Sequence, residues 1–594
     1  MKRCTPVLIG IDVGGTFTDA AAVRAGRVVA TAKVPTEPDD LARSLLGALD
    51  GVLTGVPPDE IARVSLSTTL ITNLLAQGRV PPVATLLIPG PGRDPTTYRL
   101  PGPYWVVGGA IDFRGRERVP LDRAEVMAAL EEIQATGIRH LAVVGKFSPR
   151  NPRHEAQVLD WAAQRDPTDA SWPPWHLCAG HTVSGQLNFP RRAAATATIL
   201  AVEEPYRVFF TQLQEALTER GLACPMVVLK ADGGTLPLAV AAREPIQSIF
   251  SGPAASAMGA LALRPEGSTA IVLDVGGTTT DLALILDGEP LFASRGGSLD
   301  GIYLPTRAFA VRSLPVGGDS TVAVEEGIVL LRPTRAGVAA CLGGPEPTLT
   351  DALRLLGKTT VGDVELARVA LHPIGQAVDA EHPTTAEAVA AFVVEEALAR
   401  IEAGVAEMLL AWRREPVYRI WELKQKGSRR PETVVGIGAA AESLVPALAE
   451  RLGAPVVIPP YAPVANALGA AVARTTYTTT LHVDTERGWQ TSGGWQTSGG
   501  WQTSGGRFEV AEEGVSEPLP PGRYTLDDAR RMAREWMARR GEALGVADPL
   551  ADSEVVLAEQ FNVVEGWHTV GRIFDVRLER RCGLVDEWIR EEAG

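Results

Sequence analysis

Short apolar runs separated by glycine corners organise both the opening of the chain and its second half. Val7–Asp12, Thr18–Val23 and Arg27–Val34 predict three strands joined by tight turns. Apolar spacing from about Asp39 to Leu53 predicts a helix behind them. Ala270–Asp274, Asp281–Leu286 and Pro290–Ser294 predict the same meander again. The strings IDVGGTFTD (Ile11–Asp19) and LDVGGTTTD (Leu273–Asp281) align, and the same offset carries Gly26 onto Gly288. A repeat that keeps register through a turn reports a duplicated structural unit.

Between the copies, Arg123–Thr136 predicts a helix stopped by Gly137, and His140–Gly145 a buried strand. Arg191–Leu217 is helix-compatible and predicted to break near Pro205. Thr433–Val435 predicts a strand, Gly436–Gly438 a turn and Ala439–Leu452 a helix, with Leu444, Leu448 and Leu452 on one face. Gly453 stands where a helix stop belongs, and Val456–Ile458 returns to the sheet. Further on, WQTSGG occurs three times from Trp489 to Gly506 between two strand patterns, Thr478–Asp484 and Phe508–Ala511. That placement reads as an expanded hairpin tip, because loop-closure cost rises by only ~0.6 kcal/mol per doubling of length. Leu526–Leu544 predicts an amphipathic helix, and Val555–Val564 and Thr569–Arg580 two closing strands.

At 594 residues the chain exceeds what one hydrophobic core supports. Three units are expected: a first lobe over 1–185, a second over 186–475, and a C-terminal α+β module over 476–594 that carries the repeat at 489–506. A net charge of −14 argues against nucleic acid as a partner. The five cysteines (Cys4, Cys178, Cys224, Cys341, Cys582) are scattered and form no CxxC pair, unlike a disulfide framework. The apolar run after MKRCTP enters the first glycine turn at once and reads as a strand rather than a signal segment. With no apolar run near the ~20 residues that span a bilayer, a cytoplasmic protein without a membrane partner is expected.

A strand that ends in Asp, turns through Gly-Gly and leaves through Thr suits one kind of ligand. Glycines allow close backbone approach, and the N–H groups of such a turn point into a concavity sized for phosphate oxygens. Gly14, Gly15, Thr16 and Thr18 supply these groups in the first copy, and Gly276, Gly277, Thr278, Thr279 and Thr280 in the second. Asp12 and Asp274 at the strand ends would repel phosphate unless a Mg²⁺ ion stood between. Two such turns, one per lobe, can clamp a polyphosphate. Gly436 and Gly438, opening the later helix, offer a third wall for adenosine. ATP with Mg²⁺ is the expected ligand.

This order of two phosphate turns and an adenosine turn resembles the superfamily of actin, hexokinase, acetate kinase and Hsp70. More specific strings resemble the hydantoinase A/5-oxoprolinase family, which includes acetone carboxylase subunits. They are STTLITNLL (Ser67–Leu75), NPRHE (Asn151–Glu155), ADGG (Ala231–Gly234), SGPAASAMGA (Ser251–Ala260), GGPEPTLTDA (Gly343–Ala352) and FNVVEGWHTVGR (Phe561–Arg572). The resemblance implies an α/β, two-lobed actin-like ATPase fold, a duplicated ribonuclease H-like unit with a small C-terminal module. It implies an ATP- and Mg²⁺-dependent hydrolase that phosphorylates a carbonyl oxygen of a cyclic amide, such as a lactam or hydantoin. A larger partner subunit of hydantoinase B type is also implied. Two other readings use the same nucleotide grip: a small-molecule kinase, and a non-catalytic regulatory or assembly protein. Two departures from the family pattern stand out. PVGGDS (Pro315–Ser320) replaces a GAGGGS string and puts Asp319 among the glycines, and Ser67 replaces a glycine.

Catalytic candidates are Asp281, which closes the second turn, and His154 in NPRHE, a substrate-side acid or base that a polar Asn-Pro loop explains equally well. Asp19 closes the first turn and Asp232 precedes Gly233-Gly234; turn-fixing hydrogen bonds account for either. His176, Cys178 and His181 have metal-like spacing but no second ligand pair nearby, so ordinary packing is the expectation. ALRLLGKT (Ala352–Thr359) mimics a phosphate loop, but Leu-Arg-Leu-Leu belongs in a helix.

Overall fold

The computed structural model describes residues 6–588, apart from 38, 165–174, 264–268, 379–381, 383, 415–430, 486–505, 521, 566 and 587. The duplication read from the sequence is a duplication of topology. Strands Arg27–Pro35, Phe17–Arg24, Val7–Val13, Ile61–Thr68 and Met226–Leu229 lie side by side in that order, with Thr235–Pro237 at the far edge. The first three pair antiparallel, and Ile61–Thr68 and Met226–Leu229 continue in parallel. Glu289–Pro290, Thr280–Leu286, Ala270–Val275, Thr433–Ile437 and Val456–Val457 repeat the arrangement. Asp12 faces Asp19 across the first hairpin, as Asp274 faces Asp281 across the second.

The central strands are apolar up to Asp12 and Asp274 near their ends, as sheets covered on both faces require. Helices Leu41–Leu53 and Phe189–Glu219 cover the first sheet. Helices Leu349–Leu355, Ala386–Arg414 and Ala441–Leu452 cover the second. Between the sheets lie two helices made of small residues, Ser251–Leu263 and Ala465–Val472. A Cβ on Gly10 would collide with the Ala467 carbonyl, one on Gly259 with the Ala465 carbonyl, and one on Gly469 with the Ala255 carbonyl. Backbone therefore rests on backbone where the halves meet, which brings the ends of Val7–Val13 and Ala270–Val275 close together.

Two further sheets complete the fold. An all-parallel sheet joins His176–Ala179, His140–Gly145, Val83–Ile88 and Tyr104–Val106. An antiparallel sheet near the C-terminus orders Val515–Pro518, Arg507–Val510, Thr478–Asp484, His568–Arg580 and Ser553–Glu565 around helix Leu526–Ala543. A buried ion pair, Arg114–Asp484 at 2.7 Å, ties the turn of a small hairpin, Ala110–Ile111 with Glu117–Val119, to the antiparallel sheet. No helix of the described residues is long and apolar enough to cross a membrane.

Several sequence expectations need correction. Phe189–Glu219 is one unbroken helix, because buried Tyr206, Phe209, Phe210 and Leu213 anchor the turns after Pro205. The third strand of the second meander shrinks from Pro290–Ser294 to Glu289–Pro290, and Val311–Leu314 pairs with Thr280–Ala283 instead. The strands flanking the WQTSGG tract pair antiparallel as a hairpin, from Leu481↔Val510 to Asp484↔Arg507. Of the tract itself, all but Gly506 lies outside the described residues. ALRLLGKT begins inside helix Leu349–Leu355, whose Thr348–Asp351 capping box replaces any phosphate grip. Gly453 ends its helix at φ +63, with nothing within 4 Å of an added Cβ. Gly453→Ala should therefore cost only the left-handed backbone penalty, about 1 kcal/mol in chemical denaturation.

Candidate functional site

Each glycine turn is closed by the same bond: Gly14 N–H donates to Phe17 O at 3.1 Å, and Gly276 N–H to Thr279 O at 2.9 Å. The two turns face each other. A Cβ placed on Gly277 would lie 3.0 Å from Thr16 Oγ1, a side chain of the opposite lobe. Gly15 and Thr279 are exposed at the tips, with Thr16, Gly277 and Thr278 half-buried behind them. Gly438 adopts φ +88, and a side chain there would strike Asp274 Oδ1. The third turn thus touches the root of the second.

The floor of the cleft is acidic. Asp12 is buried, and its carboxyl is pushed up to about 7, chiefly by loss of water and further by the charges of Asp19 and Asp274; Ser67 and Asn466 oppose the shift. Asp274 Oδ2 accepts from Ser256 Oγ at 2.6 Å and Asn466 Nδ2 at 2.9 Å, one from each small-residue helix. Those helices therefore aim the carboxylate as well as spacing the lobes. Sequence reasoning missed both residues, although Asn466 is the lone polar side chain in an otherwise apolar helix.

The copies diverge at the closing aspartates. Lys33 Nζ grips Asp19 at 2.7 and 3.0 Å and also donates to Pro463 O. Burial still outweighs that cation and raises the Asp19 carboxyl. Asp281 has no such cation among the described residues. Its carboxyl is pushed up to about 7 by burial and then by Asp274, with Ser313 opposing, and its Oδ1 has no hydrogen-bond partner. Asp19 is thereby a fixed half of an ion pair, while Asp281 keeps an acceptor to spare.

Three expectations place residues elsewhere. The Thr18 hydroxyl is buried against Thr36 Oγ1 at 2.9 Å and the Thr280 hydroxyl against Val316 O at 2.7 Å, because strand alternation turns both inward. Gly436 is a buried strand residue opposite Leu273, and its missing side chain makes room for Val445. His154 lies in helix Arg153–Ala163, almost fully buried, with Nε2 2.9 Å from Glu117 Oε1; its surroundings belong to the parallel sheet, not to the glycine turns. Asp232 fixes its own turn through Gly234 N–H and pairs with Lys230. The HxCxxH residues diverge: His176 stacks on His140, His181 binds Glu155, and burial pushes the Cys178 thiol up to about 12.

Asp12 and Asp274 fit a divalent ion, since Asp12 Oδ1 is shielded from water yet has no hydrogen-bond partner. Among the described residues no three His, Cys, Asp or Glu side chains converge as a closed metal site. Two carboxylates with the remaining positions left to water and phosphate oxygens is the pattern Mg²⁺ adopts at nucleotides.

Comparison with known proteins agrees with this architecture. Residues 8–165 match the hydantoinase/oxoprolinase N-terminal region and residues 193–479 the hydantoinase/oxoprolinase family. The chain is 27% identical over 490 residues to caprolactamase subunit alpha of Pseudomonas jessenii, taking in 76% of this chain and 68% of that one. It is 25% identical over 398 residues to the acetophenone carboxylase gamma subunit of Aromatoleum aromaticum, taking in 59% of this chain and 53% of that one. The match thus spans from about half to two thirds of these relatives' lengths. Among solved structures, nucleotide-free acetone carboxylase superposes with TM-score 0.70 at 18% identity, covering 98% of this chain and 88% of that one. The ATP-dependent caprolactamase of Pseudomonas jessenii gives 0.61 at 20% identity, covering 99% and 89%. The fold is the actin-like ATPase fold. With both parts of the family pattern matched in chain order, the protein belongs to the hydantoinase/oxoprolinase family.

Proposed function

We propose that this chain is an ATP- and Mg²⁺-dependent hydrolase, or the nucleotide-handling subunit of one, acting on a cyclic amide or related carbonyl compound. The observation that carries the proposal is the meeting of the two glycine turns, Thr16 against Gly277, over the Asp12 and Asp274 carboxylates. Gly14, Gly15, Thr16, Gly276, Gly277, Thr278 and Thr279 hold the phosphates, and Gly438 borders the adenosine. Asp12 and Asp274 hold Mg²⁺, which when bound offsets charge on the phosphate oxygens. The lobes correspond to residues 1–185 and 186–475, with 476–594 as an appended module.

The substrate's carbonyl oxygen attacks the γ-phosphorus, the bond to the bridging oxygen of ADP breaks, and the phosphorylated carbon becomes open to water. Water adds to that carbon, the ring C–N bond breaks with a proton passing to the nitrogen, and a second water releases phosphate, so that ADP, phosphate and the ring-opened acid with its freed nitrogen are the products. Asp281, with its unpaired Oδ1, takes a proton from the attacking water. His154 is given no step. Two relatives described as ATP-dependent, a caprolactamase and an acetone carboxylase, are named for carbonyl compounds, which supports carbonyl activation as the common task. Relatives named as subunits support a partner chain, which on the family resemblance is taken to be of hydantoinase B type.

The test is ATP turnover with 5-oxoproline, hydantoin, N-methylhydantoin, caprolactam and simple ketones, with and without co-purified partner. Free phosphate appearing in step with ring opening is the expected result. A stable phosphorylated metabolite would make the chain a kinase, and nucleotide binding without substrate-stimulated turnover would make it a regulatory protein.

A further inference from the structure

The loop Pro315–Ser320 is a third lip on the nucleotide cleft. Gly318 N–H donates to Gly276 O at 3.0 Å and Asp319 N–H to Gly277 O at 2.5 Å, so the loop runs along the second turn. Thr350 fixes it from behind, donating both N–H and Oγ1 to Gly318 O. The Asp319 carboxylate then arrives at the point where the lobes meet. A Cβ on Gly277 would stand 2.7 Å from Asp319 Oδ2 and 3.0 Å from Thr16 Oγ1.

A carboxylate there is unexpected in a cleft for a polyanion, since Asp12, Asp19, Asp274 and Asp281 already make it acidic. Lys33, beside the first turn, is committed to Asp19. Asp319 has a cation of its own: Arg335 Nε lies 3.1 Å from Asp319 Oδ2 and donates to Gly337 O at 3.3 Å. Both contacts use Nε. Among the described residues neither terminal nitrogen of Arg335 makes a hydrogen bond. A guanidinium whose Nε–H is bonded to the Gly337 carbonyl and whose edge lies in ion-pair contact with the Asp319 carboxylate, with no hydrogen bond drawn from either Nη group, is pre-oriented for two parallel bonds to a phosphoryl group.

We propose that Arg335 binds the terminal phosphoryl group of the nucleotide, and that Asp319 is the positioning residue that holds its guanidinium at the mouth between the two turns. This rests on the nucleotide reading above and deepens it. Thr16 and Gly277 are the parts of the two turns that meet, so the group beside them is the end of the phosphate chain rather than the phosphates nearer Gly438. Arg335 supplies the positive charge that the acidic floor lacks, and the Asp319 pair fixes its direction before ligand arrives.

The experiment is equilibrium binding of ATP, ADP and inorganic phosphate, each with Mg²⁺, to the full chain and to Arg335→Ala, Arg335→Lys and Asp319→Asn. Arg335→Ala should weaken ATP about tenfold or more while changing ADP less than about twofold. Arg335→Lys should recover part of the loss, since it keeps the charge without the fork, and Asp319→Asn should show a smaller loss confined to ATP. Equal loss for ATP and ADP, or no loss for either, overturns the proposal. So does weakening of inorganic phosphate with ATP unchanged, which would make this a free-anion site. If Arg335→Ala does not fold, the other two variants carry the same comparison. Wild-type protein that binds no nucleotide would instead remove the nucleotide reading itself, a result obtained before any variant is made.

Discussion

Asp274→Asn is expected to slow substrate-stimulated ATP turnover by about 10²- to 10³-fold, the range lost with a single electrostatic contact to a transferring group. The variant keeps the shape of the side chain. Ser256 and Asn466 hold the carboxylate from two different helices, and an amide in that place still accepts through its oxygen. It loses the charge that holds the metal. The melting temperature should therefore move little, while the Mg²⁺ concentration needed for half-maximal turnover rises. Asp19→Asn is the control: Lys33 already neutralises that carboxylate, so its loss should cost turnover far less. Phosphate release measured across a Mg²⁺ titration decides the matter. Turnover and metal dependence that match the wild type would remove Asp274 from the site.

The parts of this site that were legible in the sequence are those built from local geometry. A glycine turn closed between positions three apart, Gly14 to Phe17 and Gly276 to Thr279, is written in the string itself, and doubling it revealed the duplicated sheet. The first meander, the first two strands of the second and the helix Ala441–Leu452 follow from periodicity in the same way. What stayed hidden depends on contacts between distant residues. Ser256 and Asn466 reach Asp274 only because two small-residue helices cross between the sheets, and no period records that crossing. Strand alternation could have shown that Thr18 and Thr280 point inward, but the GGT string made every hydroxyl look like a donor to phosphate. His154 shared a motif with Glu155, yet its partner is Glu117, in a hairpin that lies before it in the chain. Chemistry-bearing residue types were visible one by one; which of them meet is decided by packing.

The asymmetry between the closing aspartates predicts a variant that gains stability as it loses activity. Asp281 has its carboxyl pushed up to about 7, first by burial and then by the charge of Asp274, against about 3.9 in an unfolded chain. A raised value means that the folded state holds a proton which the unfolded state releases. The stability that this proton carries is whole below about pH 4 and is lost by degrees as pH rises to about 7. The shift alone sets a ceiling of about 4 kcal/mol; the residue is only half-buried, so about 2 kcal/mol is expected. Asp281→Asn replaces the protonated carboxyl with a neutral group of the same shape. In urea denaturation without nucleotide and with chelator present, the variant should match the wild type near pH 4 and exceed it by about 2 kcal/mol at pH 8. Mg²⁺ and ATP should narrow that margin, because bound metal stabilises the ionised carboxylates that the variant reduces. Substrate-stimulated turnover should fall at the same time, since the acceptor at Oδ1 is gone. A variant less stable than the wild type at pH 8 would show that Asp281 is satisfied by the fold and held in no reserve for chemistry.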